Sequence, residues 1–192
     1  MSDIAIYLAS NSPRRQELLQ QIGVSFAQLQ VSIEEKAEVD EDPKHYVKRL
    51  ALSKAEVGYA NSAQDKPVLG ADTIIVSEQK IFEKPLNQKH AKQMLQLLSG
   101  RTHQVLTAVA LVDGVDSKTV LVTTEVTFKN LTDQEMDDYW LSGEPQDKAA
   151  GYGIQGIAGK FVTNISGSYS AVVGLPLYET AELIKQFQFI NK

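Results

Sequence analysis

Positions 10 to 15 read Ser10-Asn11-Ser12-Pro13-Arg14-Arg15, which sets two hydroxyls and two guanidinium groups close together. Ser12 and Pro13 are residue types of a helix start, one at the cap and one in the first turn. The N–H groups of a helix start carry partial positive charge and bind anions. Arginine grips phosphate oxygens two at a time. The segment is a candidate phosphate grip, with a capped, solvated helix start as the plain alternative. A second candidate is the aspartate of Gly70-Ala71-Asp72-Thr73, which lies inside the apolar run Val68 to Val76. Burying a carboxylate there is costly without a partner or a task. Asp72 could hold a metal or accept a proton from water. A third set is Glu34-Glu35, Lys54 and Glu83-Lys84-Pro85. Mg²⁺ takes one or two carboxylates together with substrate phosphates, and lysine supplies phosphate with a point charge. Each of these residues alone reads as solvated surface, and they gain weight only as a set.

Other patterns mislead. Gly151-Tyr152-Gly153-Ile154-Gln155-Gly156 spells G-x-G-x-x-G. A dinucleotide site requires a strand before that pattern and a helix after it. Pro145-Gln146-Asp147-Lys148 does not read as a strand, and Ile157-Ala158-Gly159-Lys160 does not read as a helix. A flexible binding loop is the better reading. His45, His90 and His103 lack metal-ligand spacing and read as structural. Neither G-x-x-x-x-G-K-[ST] nor G-x-S-x-G occurs, so a P-loop NTPase or an α/β-hydrolase is unsupported.

These residues need elements to position them. Ile4 to Ala9 is an apolar run that reads as a buried strand. The helix opened by Ser12-Pro13 has Leu18, Leu19 and Ile22 on one face and ends at Gly23. A second helix starts near Asp42-Pro43, with Tyr46, Val47, Leu50, Ala51 and Val57 as its apolar stripe. Val68 to Val76 is a strand, with Ile81-Phe82 pairing back across Ser77-Glu78-Gln79-Lys80. Asn87 caps a helix that runs to Leu98 and is closed by Gly100. Residues 103–112 and 119–128 read as an antiparallel pair about Asp113-Gly114. Thr132 and Glu135 form a capping-box pattern before a helix ending near Leu141. Residues 142–160 read as a long loop, Phe161 to Val173 as strand, and Pro176 to Phe187 as the last helix. Helices mixed with non-alternating early strands and a later hairpin predict an α/β fold, a mixed sheet with flanking helices.

The chain has 192 residues, 43% of them hydrophobic and 22% charged, which is ordinary globular composition. With no cysteine there is no disulfide framework, thiolate zinc site or Cys nucleophile. A net charge of −5 argues against a general nucleic-acid or anionic-membrane surface. A small anionic substrate needs only a local basic cluster. No signal peptide or transmembrane helix is expected. The sequons Asn130-Leu131-Thr132 and Asn164-Ile165-Ser166 then read as chance matches.

Taken together, the motifs resemble the Maf family of nucleoside triphosphate pyrophosphatases. The resemblance starts at LASNSPRRQELL (8–19) and continues through IEE (33–35), RLALSKA (49–55) and VLGADTIIV (68–76). EKP (83–85), LSGRTHQVLTAVAL (98–111), DKAAGYGIQG (147–156) and GSYSAVVGLPL (167–177) follow in order, so it covers nearly the whole chain. It implies one Maf-like domain over 1–192, of inosine-triphosphatase-like fold, with two lobes around a cleft that do not separate into independent domains. It also implies a divalent metal cofactor (Mg²⁺, Mn²⁺ or Co²⁺), a cytoplasmic location and frequent homodimers. Within the family the chain is most similar to the dTTP/UTP-hydrolysing branch, with Arg14, Thr73 and Gln155 carrying specificity.

The reaction so implied is hydrolysis between the α and β phosphates to a monophosphate and pyrophosphate. Modified uridine triphosphates are included among the expected substrates. Ser10, Ser12, Arg14 and Arg15 would grip phosphate, and Lys54 and Lys84 would add charge. Glu35 and Asp72 would hold the metal, with Asp72 also the candidate to orient or deprotonate water. The Gln155 amide offers a donor beside an acceptor. That matches the 4-oxo and N3 edge of uracil and thymine, which cytosine reverses. Competing expectations are a non-catalytic, nucleotide-binding regulator of cell division, and a pyrophosphatase for another base such as 7-methyl-GTP.

Overall fold

The computed structural model describes residues 4–190. Strand β1 (Ile6–Ala9) leads into helix α1 (Pro13–Gln21), β2 (Phe26–Leu29) and α2 (Pro43–Asn61). Then come β3 (Val68–Ser77), β4 (Lys80–Phe82), α3 (Gln88–Leu98), β5 (Thr102–Val112) and β6 (Ser117–Phe128). Helix α4 (Asp133–Leu141), β7 (Val162–Ser166), α5 (Tyr169–Val173) and α6 (Leu177–Ile190) complete the order. The strands form one mixed sheet in the order β2-β1-β3-β5-β6-β7, with β4 paired to β3. β1 is parallel to both β2 and β3, with Tyr7 opposite Ala27 and Val68. β4 is antiparallel to β3, and β7 to β6. The expected mixed α/β architecture is therefore present. Among the described residues no helix is long and apolar enough to cross a membrane.

The described residues fall into two compact units, one made of 4–72, 107–122 and 174–190, the other of Thr73–Leu106 and Thr123–Val173. In the first unit β1 and β3 are buried apolar runs, with Leu8, Ala9, Val68 and Leu69 fully enclosed. Helix α2 starts at Asp42, whose side chain accepts the N–H groups of Lys44 and His45. Its buried face is Tyr46, Val47, Leu50, Ala51, Ala55 and Gly58. The expected Val57 is only half-buried, because the helical period carries the stripe through Ala55 and Gly58 instead. At Gly70 the backbone of α2 lies directly against β3, and a Cβ there would meet Ala51 O and sit 2.6 Å from Ala55 N.

The second unit packs around Ile75, Phe82, Leu95, Phe128, Tyr139, Tyr152 and Phe161. Its rings meet edge to face, Phe128 on Tyr152 at 4.9 Å and Tyr139 on Phe161 at 5.3 Å. Asn87 caps α3 through the His90 N–H, and Thr132 with Glu135 forms the expected capping box of α4. Two expectations change. The loop 142–160 contains three short 3-10 turns, Glu144–Asp147, Ala149–Gly151 and Ile157–Phe161. The strand expected from Phe161 to Val173 stops at Ser166. Beyond it the Ser168 N–H is taken by the Thr124 hydroxyl at 3.0 Å, and the Ser168 hydroxyl accepts the Ala171 N–H at 3.2 Å, which starts α5.

Candidate active site

The phosphate-grip candidate follows β1 directly. Ser10 is 5% exposed. Its hydroxyl accepts the Ser12 N–H at 3.2 Å and an Arg15 Nη1 hydrogen at 3.3 Å. Arg15 Nε donates to Gly174 O at 2.9 Å, so two bonds aim its guanidinium. Burial pulls the Arg15 pKa down, Asp72 and Glu35 push it back up, and Arg14 lowers it again. An arginine starts far enough above neutrality to stay charged. Ser12 occupies the cap position of α1 in extended backbone, but its side chain makes no capping bond. The side chains at the other caps named above, Asp42, Asn87 and Thr132, do bond their helices. The first-turn amides of α1 are therefore not taken up by Ser12, which suits a helix start that serves an anion. Arg14 is half-buried beside it.

The carboxylates meet at a lysine in the same unit. Lys54 lies on the face of α2 that packs on β3. Asp72 is two residues beyond Gly70 and shares its side of the strand, since side chains alternate. Lys54 Nζ lies 2.6 Å from Asp72 Oδ1 and 2.7 Å from Glu35 Oε1. The Asp72 side chain is 9% exposed and that of Glu35 48%, so the cluster has a buried end and an open end. The aspartate in the apolar run thus has its partner, as burial demands. Glu35 lies in the segment between β2 and α2, which a second ion pair secures. Arg49 of α2 donates to both Glu41 oxygens, at 2.8 and 2.6 Å, and to Lys36 O at 3.1 Å. The Arg49 guanidinium holds the Glu41 carboxyl down to about 2.

The implied divalent cation can be tested against this donor set. Among the described residues, no group of three His, Cys, Asp or Glu side chains could hold a metal alone. Glu35 and Asp72 nevertheless converge on one cationic point, occupied by the Lys54 ammonium. Two convergent carboxylates fit a hard cation that completes its shell with phosphate oxygens and water.

The remaining expected residues belong to the second unit. Thr73 follows Asp72 on the opposite side of β3 and is half-buried. Lys84 is exposed, between Glu83 and the buried Pro85. This stretch is tied to the 3-10 turn at 149–151 by the Ala150 N–H, which donates to Glu83 O at 3.0 Å. Gln155 is exposed in a turn closed by the Gly156 N–H on Gly153 O at 3.1 Å. A 3-10 turn precedes it and another follows, so the G-x-G-x-x-G spelling lacks both the strand and the α-helix. Sequence reasoning missed the Arg49–Glu41 pair, because its members are ordinary surface types when read locally. His103, read as structural, is 2% exposed and is hydrogen-bonded through Nε2 to the Tyr152 hydroxyl at 2.7 Å.

A sequence profile described as Maf, Maf-like protein, matches residues 5–187. The dTTP/UTP pyrophosphatase of Shigella dysenteriae is 54% identical over 188 residues, covering 98% of this chain and 95% of that protein. The dTTP/UTP pyrophosphatase of Escherichia coli O157:H7 and the nucleoside triphosphate pyrophosphatase of Shigella flexneri match to the same extent, 54% over 188 residues. Among solved structures, the dITP/XTP pyrophosphatase of Mycobacterium abscessus aligns with a TM-score of 0.43 and 16% identity, over 67% of this chain and 76% of that one. The Staphylococcus aureus Ham1 protein aligns with a TM-score of 0.47 and 15% identity, over 65% and 71%.

Proposed function

This chain belongs to the Maf-like protein family, and on that premise we propose that it hydrolyses dTTP and UTP between the α and β phosphates. The observation that carries the reading is the Glu35–Lys54–Asp72 cluster, set in the same unit as the Ser10–Arg15 segment. The names of the 54% identical relatives support the pyrimidine substrates.

The reaction needs phosphate charge neutralised, a water held in line, and a stabilised leaving group. Arg15, oriented by Ser10 and Gly174 O, offers a fixed cation to the phosphates, and Arg14 a second. Ser10, Ser12 and the first turn of α1 add hydroxyl and amide donors. Lys84 adds a further charge. Asp72 takes a proton from the attacking water as oxygen bonds to the α phosphorus. The bond from that phosphorus to the bridging oxygen breaks, and pyrophosphate leaves with its electron pair. Lys54 keeps Asp72 in place and balances its charge. Glu35 and Asp72 would hold a divalent cation with the nucleotide, and the ion would neutralise phosphate charge and acidify bound water. The Gln155 amide pairs with the 4-oxo and N3 edge of the base, with Arg14 and Thr73 contributing to selection.

The test is pyrophosphate release from dTTP, UTP, 5-methyl-UTP, CTP, GTP and 7-methyl-GTP, with Mg²⁺, Mn²⁺ or EDTA. Cation-dependent release from dTTP and UTP is expected. Asp72→Asn should lower kcat by about 10²–10⁴-fold, the usual worth of a general base. Release from a purine instead would overturn the base assignment and keep the reaction. Nucleotide binding without any release would overturn the reaction in favour of a binding role.

A further inference from the structure

The turn that presents Gln155 is held by a side chain outside the expected site. Glu144 begins the 3-10 turn Glu144–Asp147. Its Oε2 accepts the Ile157 N–H at 2.8 Å, and its Oε1 accepts the Tyr139 hydroxyl at 2.8 Å and, more weakly, the Ala158 N–H at 3.5 Å. The Tyr139 hydroxyl in turn accepts the Gly153 N–H at 3.3 Å. One carboxylate, directly and through one phenol, therefore grips the backbone on both sides of Ile154-Gln155. The fit leaves little slack. A Cβ on Gly156 would collide with Glu144 Oε2, and one on Gly153 would lie 2.8 Å from Lys148 Cε. Lys148 Nζ donates back to Glu144 O at 2.7 Å, and the buried Tyr139 ring is fixed edge to face on Phe161.

We propose that Glu144, acting with Tyr139, is a positioning residue for base selection: it fixes the turn that offers the Gln155 amide. This rests on the reading that Gln155 pairs with the base. A loop residue can reject the reversed hydrogen-bond pattern of cytosine only if its amide is held in one orientation. An exposed glutamine on an unanchored glycine-rich turn would adapt to either pattern, so discrimination falls to whatever holds the backbone. Glu144 needs no contact with substrate to do this.

The experiment compares the full-length wild type with Glu144→Gln, Tyr139→Phe and Gln155→Ala. Glu144→Gln keeps the shape but replaces one acceptor oxygen with a donor. Tyr139→Phe keeps the ring and deletes the bridge. Three quantities are read: amide hydrogen exchange over 153–158 without nucleotide, the thermal midpoint, and kcat and KM for UTP and CTP. Both clamp variants should exchange the Gly153 and Ile157 amides about tenfold faster, the size expected for losing one such bond. They should raise KM for UTP more than they lower kcat, and narrow the UTP-to-CTP ratio of kcat/KM about tenfold. A purely structural role would lower the thermal midpoint and slow both substrates equally, which overturns the proposal. Unchanged exchange at these amides overturns it too. If Gln155→Ala narrows the ratio and the clamp variants do not, this proposal fails alone. If Gln155→Ala leaves the ratio unchanged, the base-pairing reading fails and takes this proposal with it.

Discussion

Asp72 was legible from its type and place, because a carboxylate in the middle of an apolar strand requires an explanation. Its partner was not. Lys54 lies eighteen residues upstream on a different element, and no local pattern ties the two. Lys54 was expected to add charge toward phosphate, and the structure shows its amine between Glu35 and Asp72. His103 shows the same limit. Its spacing excluded a metal site, but only packing reveals how thoroughly it is buried. That burial pulls its pKa from 6.5 to about 4 and pushes Tyr152 up. The unfolded chain therefore binds a proton that the folded chain refuses. The contribution of neutral His103 is intact above the ordinary value of 6.5 and is lost as pH falls from there to about 4. The full difference is on the order of 3 kcal/mol. Urea midpoints at pH 7 and pH 4.5 should converge between wild type and His103→Gln as acid removes the wild-type advantage. Parallel profiles would show that His103 does not titrate across that window.

The elements that announced themselves did so through local chemistry. Asp42-Pro43, Asn87 and the Thr132/Glu135 box each mark a helix start by bonds made within three residues, and each helix begins there. Strand β2 gave no such signal. It has three partly buried residues and one exposed, and owes its conformation to pairing with β1. The end of β7 was likewise hidden, since a threonine on β6 settles it. The contact between α2 and β3 is the element-level feature on which the site depends. Gly70 admits the helix backbone, and the same approach brings Lys54 to Asp72. Gly70→Ala should therefore cost about 1–3 kcal/mol in urea unfolding, the usual penalty of overpacking. It should also lower kcat more than a stability-matched core substitution such as Leu50→Val. Equal effects on kcat would separate the helix contact from the chemistry.

At the scale of the molecule, the fold class was readable from the order of helices and strands, but the grouping of segments was not. The chain passes between its two units at Asp72/Thr73, Leu106/Thr107, Val122/Thr123 and Val173/Gly174. Contacts distant in sequence decide that grouping, and periodicity does not report them. The last segment returns to the first unit, where Leu183, Ile184 and Phe187 of α6 are buried and Gly174 O anchors Arg15. Losing three large core side chains at about 2–5 kcal/mol each rivals the whole stability of a domain, roughly 5–15 kcal/mol. A chain stopped at Pro176 should therefore leave the amides of β1 and α2 unprotected in hydrogen exchange. Retained protection there would mean that the first unit folds without its final helix.

The glycine-rich turn at 151–156 also bears on how such sequences are read by pattern. In a dinucleotide site, the middle glycine of this spacing clears room for a guest's pyrophosphate, and the outer two serve the turn and the helix packing. Here Gly153 and Gly156 clear room for the chain's own Lys148 and Glu144. A glycine records only that volume is missing at its Cβ, and carries no information about the tenant. Two unrelated folds can thus converge on one spelling for opposite reasons, and a search by spelling alone would file this chain under the wrong chemistry. The discriminating signal is the acidic residue twelve positions before the last glycine of the pattern, since a carboxylate cannot share that space with a pyrophosphate.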